Sequence, residues 1–159
     1  MKRVFGLLLT LLLLLPGCAR EKPKELSVYT FSGSDGQISV VNGVAVFSEQ
    51  GDLFDGGRLC LSADFPQDVT AYTASFYVQS SSEQRTLLSN SVVDETGGTL
   101  QPGEDLGRRA TDGAEGYLGW TEDWTEYLEG NLFFELTLTD KSGEQRTYQI
   151  PMEVACIVA

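Results

Sequence analysis

Residues Gln37–Ser48 read "QISVVNGVAVFS". β-branched and aromatic side chains fill two short runs on either side of Asn42-Gly43. Both central residues tolerate the positive φ values of a type I′ turn, so the stretch is predicted to be a β-hairpin closing at Asn42-Gly43. Outward from it the period stays at two. "LSVYTFS" at 26–32 reads as the strand before, and "RLCLSAD" at 58–64 as a strand after the turn-like "FDGG" at 54–57.

The same alternation recurs downstream. In "TAYTASFYVQ", Tyr72, Ala74, Phe76 and Val78 share one face, with Thr73, Ser75, Tyr77 and Gln79 on the other. "SSSEQ" at 80–84 is a turn, and "RTLLSNSVV" returns the chain. In "NLFFELTLTD", Leu132, Phe134, Leu136 and Leu138 line up, and "DKSG" at 140–143 turns. "EQRTYQIPMEVACIV" then groups Tyr148, Ile150, Met152 and Val154. Pro151 has no backbone donor, which places it on an edge strand or at a bulge. Seven or eight short strands separated by turn signals predict an all-β, antiparallel, two-sheet sandwich of immunoglobulin-like architecture. A small β-barrel is the alternative. The Trp between two Cys that marks antibody domains is missing.

Two segments depart from this pattern. Residues 94–116, "DETGGTLQPGEDLGRRATDGAEG", are Gly-rich, with Leu100 and Leu106 as the sizeable apolar residues. They read as a long solvated loop, functional or disordered. Asp94, Glu95, Glu104, Asp105, Asp112 and Glu115 offer oxygen ligands, but their spacing matches no calcium loop, so no metal is expected. Residues 116–130, "GYLGWTEDWTEYLEG", predict one short helix over 122–129 connecting the sheets. Thr121 is its N-cap, Glu122 and Asp123 occupy its first turn, and Gly130 ends it. Tyr117, Trp120, Trp124 and Tyr127 form a candidate ligand site, because aromatic faces beside carboxylates suit sugar rings. The competing reading is that these rings plug one end of the core.

The N-terminus carries the address. Lys2 and Arg3 precede an apolar run, Val4–Leu15, which is too short for the roughly 20 residues of a bilayer-spanning helix and matches a signal-peptide core. Leu15-Pro16-Gly17-Cys18 resembles the lipobox of bacterial lipoproteins, with Pro at the second position as a departure. The resemblance covers residues 1–18. It implies cleavage before Cys18, acylation of that residue, and an extracytoplasmic protein anchored by lipid to a bacterial membrane in the cell envelope. The domains so expected are a signal peptide at 1–17, a tether at 18–25 and a β-sandwich at 26–159.

Composition narrows the function. The formal charge is −12, and no basic patch is present to release counterions from nucleic acid. The chain has no His, which excludes Ser-His and Cys-His catalysis and His-containing metal sites. No cofactor motif is found. With Cys18 acylated, Cys60 and Cys156 remain as an even pair for a disulfide in an oxidising compartment. Periodicity opposes that pairing, since Cys156 shares a face with Val154 and Met152 whereas Cys60 lies opposite Leu59 and Leu61. The expectation is a non-catalytic binding module whose partner is an unknown protein or a surface glycan. A carbohydrate-binding module using Trp120 and Trp124 is the alternative, and a carboxylate-dependent hydrolase ranks below both.

Overall fold

Strand β1 (Leu26–Ser34) turns at Asp35-Gly36 into strand β2 (Ile38–Ser48). The turn is held by Asp35, whose Oδ1 accepts hydrogen bonds from the N–H groups of Gln37 and Ile38, both at 2.9 Å. The computed structural model describes residues 26–48, 50–66, 68–81, 83–93, 100–112 and 124–158. The remaining elements are β3 (Gly51–Asp55), β4 (Arg58–Leu61), β5 (Val69–Gln79), β6 (Gln84–Val93), β7 (Glu104–Asp105) and β8 (Arg108–Asp112). Helix α1 (Trp124–Leu128), β9 (Leu132–Asp140), β10 (Gln145–Pro151) and β11 (Glu153–Val158) complete them.

These strands form two antiparallel sheets packed face to face. Sheet A runs β11-β1-β2-β3-β8, with β4 pairing both β2 and β7; sheet B runs β10-β9-β5-β6. Neither closes on itself, so the fold is the sandwich and not the barrel. Alternation fixes the inner faces. On β9, Leu132, Phe134, Leu136 and Leu138 are all at most 3% exposed, and each such burial contributes roughly 1.5–3 kcal/mol relative to exposure. Tyr72, Ala74, Phe76 and Val78 do the same on β5. Phe76 meets Phe31 and Phe54 of sheet A edge-on, at centroid distances of 5.5 and 5.3 Å, joining the sheets in one core.

The predicted hairpin at Asn42-Gly43 is not formed. β2 passes through both residues as one strand of 11 residues, and Asn42 alone takes a positive φ, of 60°. A type I′ turn needs two such residues; one makes a β-bulge. Against β1, Gly43 faces Phe31 and Val40 faces Gly33, so Val41 and Asn42 together oppose Ser32. On its other side β2 changes partner at the same point. Ile38–Val41 pair with β4 and Val44–Ser48 with β3. The bend between β3 and β4, Gly56-Gly57, thus sits opposite the bulge.

Residues 100–112 also correct an expectation. The centre of the predicted loop is strand: β8 pairs with β3, and β7 with β4. Leu100 and Leu106 are 7% and 2% exposed, so two isolated leucines suffice to pin the segment to the core. The described residues hold eleven strands where seven or eight are expected: β3, β7 and β8 are additional, the last expected strand divides at Met152 into β10 and β11, and the two expected arms of the hairpin merge into β2.

Pro151 ends β10 on one edge of sheet B, and after Met152 the chain continues as β11 on one edge of sheet A. The Met152 N–H donates to the Leu132 carbonyl at 2.8 Å, tying the crossing to β9. Strands that change sheet at a bend form the corners of sandwiches, and a residue without an N–H suits that position. Helix α1 follows sheet A and precedes β9 of sheet B, as expected, and Gly130 lies beyond its end with φ 72°; the predicted N-cap Thr121 and first-turn residues Glu122 and Asp123 lie outside the described residues.

Candidate functional site

The bulge bends sheet A, and an open groove of about 740 Å³ lies beside it, crossing β2, β1 and β11. Its walls include Thr30, Ser32, Asn42, Val44, Glu153 and Ala155. Thr30 and Ser32 are exposed and alternate with buried Phe31, while Glu153 and Ala155 flank half-buried Val154. The groove therefore occupies the solvent face of the sheet. The register brings the walls together: Thr30 pairs with both Val44 and Ala155, and Ser32 with Glu153. Phe31 supports the floor from below. Its ring takes the space that a Cβ on Gly43 would fill, within 2.1 Å.

The chemistry of this surface is simple. Hydroxyls, one amide and small aliphatic groups line it, and Glu153 is the ionisable side chain among the described residues of its lining. Among the described residues no cluster of acids and thiols is arranged to hold a metal ion. Hydroxyl and amide groups on a concave face bind through hydrogen bonds and shape.

A second polar feature bridges the sheets. The Tyr72 hydroxyl, on β5, donates to Glu104 Oε1, on β7, at 3.5 Å. Burial pushes the Tyr72 phenol above its ordinary pKa, and the Glu104 carboxylate pushes it the same way. A phenol so disfavoured as phenolate is a strut between layers, not a base.

Of the four aromatic candidates, Trp124 and Tyr127 fall among the described residues, and these two pack inward. Trp124 is 5% exposed and stacks on Phe47 of β2, with centroids 3.9 Å apart and planes 6° from parallel. Tyr127 packs edge-on against it at 5.7 Å and is half-buried at the core. These contacts make Trp124 a core residue and Tyr127 a partly buried ring packed against the core. Tyr117, Trp120 and Cys18 lie outside the described residues.

Cys60 and Cys156 are exposed free thiols. They share sheet A but not a face. Cys60 is opposite Ser39, between inward-facing Ile38 and Val40, whereas Cys156 is opposite buried Tyr29. Strands β2 and β1 separate them, a span of about 14 Å at the usual strand spacing. A disulfide needs Cα atoms within roughly 7 Å. The two thiols are therefore not bridged, on the opposite faces that the periodicity gives them.

The groove is the feature that the sequence did not reveal. Its signal is a change of phase: inward residues are even-numbered through Ile38 and Val40 and odd-numbered through Ala45 and Phe47. A turn and a bulge both produce that change. No protein-family model, curated protein or solved structure matches the chain. No helix among the described residues is long and apolar enough to cross a membrane.

Proposed function

We propose that this is a lipid-anchored extracytoplasmic interaction module that works by contact rather than by chemistry. The observation that carries the reading is the solvent-face groove at the Asn42 bulge, bordered by an edge strand and lined by hydroxyl, amide and small aliphatic groups suited to hydrogen bonding. The lipobox-like Leu15-Pro16-Gly17-Cys18 supports the address, with acyl chains on Cys18 as the anchor. The short segment 18–25 then acts as the tether. The acidic composition favours solubility of the exposed domain and disfavours nucleic acid as partner.

A photo-cross-linking amino acid placed at Thr30, in the groove, tests the reading in intact cells. A discrete adduct is expected from Thr30 and not from Ser89 on the opposite sheet. Cys18→Ser is expected to abolish palmitate incorporation and release the chain from the membrane fraction. Labelling that persists in Cys18→Ser would refute the anchor, and equal adducts from both positions would refute the groove.

A further inference from the structure

Sheets A and B expose several edges, and most carry residues that discourage an added strand. β8 has Arg108 and Arg109, β7 is Glu104-Asp105, β6 has Arg85, and β10 has Arg146 and Pro151. β11 differs. Its one charged residue, Glu153, stands at its start; Val154–Val158 carries neither charge nor proline, and Ile157 and Val158 are 62% and 46% exposed. β11 also forms one wall of the groove, through Glu153, Val154 and Ala155. Its register with β1 shifts at Val28–Tyr29, which makes Ile157 an extra residue and leaves Glu153–Cys156 as the regular part of the edge.

Charge decides what suits this edge. The chain carries −12, and among the described residues that line the groove the one ionisable group is a carboxylate, with no Lys or Arg. A second copy of the chain would bring like charge. We propose that β11 takes an extended cationic peptide segment as an added strand. The backbone of that segment pairs along Glu153–Cys156, and a lysine or arginine from it meets the neighbouring Glu153 on the solvent face, at the border of the groove. Strand addition draws affinity from main-chain hydrogen bonds and selectivity from alternate side chains. Here the small walls at Thr30, Ser32 and Ala155 leave room for those side chains. This deepens the reading of the protein as an interaction module, and its test makes no use of the anchor, so the two can fail separately.

The test is fluorescence anisotropy with the full chain in neutral detergent. The probe is a dye-labelled Lys-Val-Thr-Val-Thr-Lys peptide, equal in length to the 6 residues of β11. Saturable binding that weakens as salt is raised is expected. Methylating alternate backbone nitrogens of the peptide keeps its charge and removes its pairing, and is expected to cost more than tenfold in affinity. Glu153→Gln is expected to cost about threefold, the scale of an exposed ion pair. Ala155→Lys is expected to abolish binding, with the circular dichroism spectrum unchanged. The proposal is overturned by no binding, by equal binding of the methylated or a Glu-flanked peptide, or by sedimentation showing a dimer that excludes the probe.

Discussion

Gly57, at the bend between β3 and β4, lies against the Val41–Asn42 peptide of β2, so close that a Cβ there would sit 2.2 Å from the Val41 carbonyl oxygen. Its φ is 72°, in the left-handed region. The bulge and the bend therefore interlock through backbone alone. Gly57→Ala adds both a strained conformation and a clash with main-chain atoms, and is expected to destabilise the fold by roughly 2–4 kcal/mol. Urea denaturation followed by circular dichroism measures it. Gly143→Ala, at φ 85° but with open space around it, is the control and should lose only the conformational part.

The Phe47–Trp124 stack predicts an asymmetry between two substitutions. Trp124→Ala removes a buried ring and should cost about 3–5 kcal/mol. Trp124→Phe keeps a ring on Phe47 and also removes Nε1, a buried donor with no partner among the described residues. An unpaired buried donor costs about 1–3 kcal/mol, which offsets part of the lost contact area. Trp124→Phe should therefore cost less than about 2 kcal/mol in the same assay. A loss as large as that of the alanine variant would show that the indole nitrogen is satisfied in solution.

Alkaline stability should depend on Tyr72. Burial first, and then Glu104, raise its folded-state pKa above the ordinary value near 10. A raised pKa means that the folded state holds this proton more tightly than the unfolded state. Its stabilisation is complete below pH about 10 and declines as pH rises through the folded-state value. Tyr72→Phe should flatten the fall in denaturation midpoint above pH about 10. An identical alkaline slope in both proteins would remove Tyr72 as its source.

Asp140 offers the opposite sign at an exposed turn. Its carboxylate accepts hydrogen bonds from Ser142 Oγ at 2.6 Å and from the N–H groups of Ser142 and Glu144 at 2.8 and 3.0 Å. The Ser142 hydroxyl is the first cause of its lowered pKa. A depressed folded-state pKa gives stability that is present above the unfolded value of 3.8 and lost as pH falls through the folded one. Ser142→Ala should move the Asp140 titration upward, as carboxyl carbon NMR would record. An unmoved titration would mean that the backbone donors alone hold it.

The two thiols should behave alike. Cys60 and Cys156 are both exposed and free, so both should alkylate in the native protein without reductant. Intact mass should not change on reduction, and a gain of two hydrogens would show that the bridge forms after all.

Much of this fold was legible in the sequence because burial is written with period two. β5 and β9 show their inner faces outright, and Gly130 marks the end of α1. The failures share a cause: local signals that admit two geometries. Asn42-Gly43 suits a hairpin, but Asp35-Gly36 before it and Gly51 after it already turn the chain, leaving one positive φ at Asn42 for a bulge. Leu100 and Leu106 sit among glycines and acids, where two leucines carry no period, although both are core. Trp124 beside Glu126 and Tyr127 suits a sugar platform as well as a core plug. Only the presence of Phe47 over its face, a contact between residues far apart in sequence, decides for packing.

β1 is the first strand of the sandwich, and it runs between β2 and β11 with antiparallel ladders on both sides. Tension entering at Leu26 would travel along that strand and load every rung of both ladders together, instead of peeling them open singly. A chain held at its amino end and pulled at its groove would thus resist by shear, the direction in which a β-sheet is mechanically strongest.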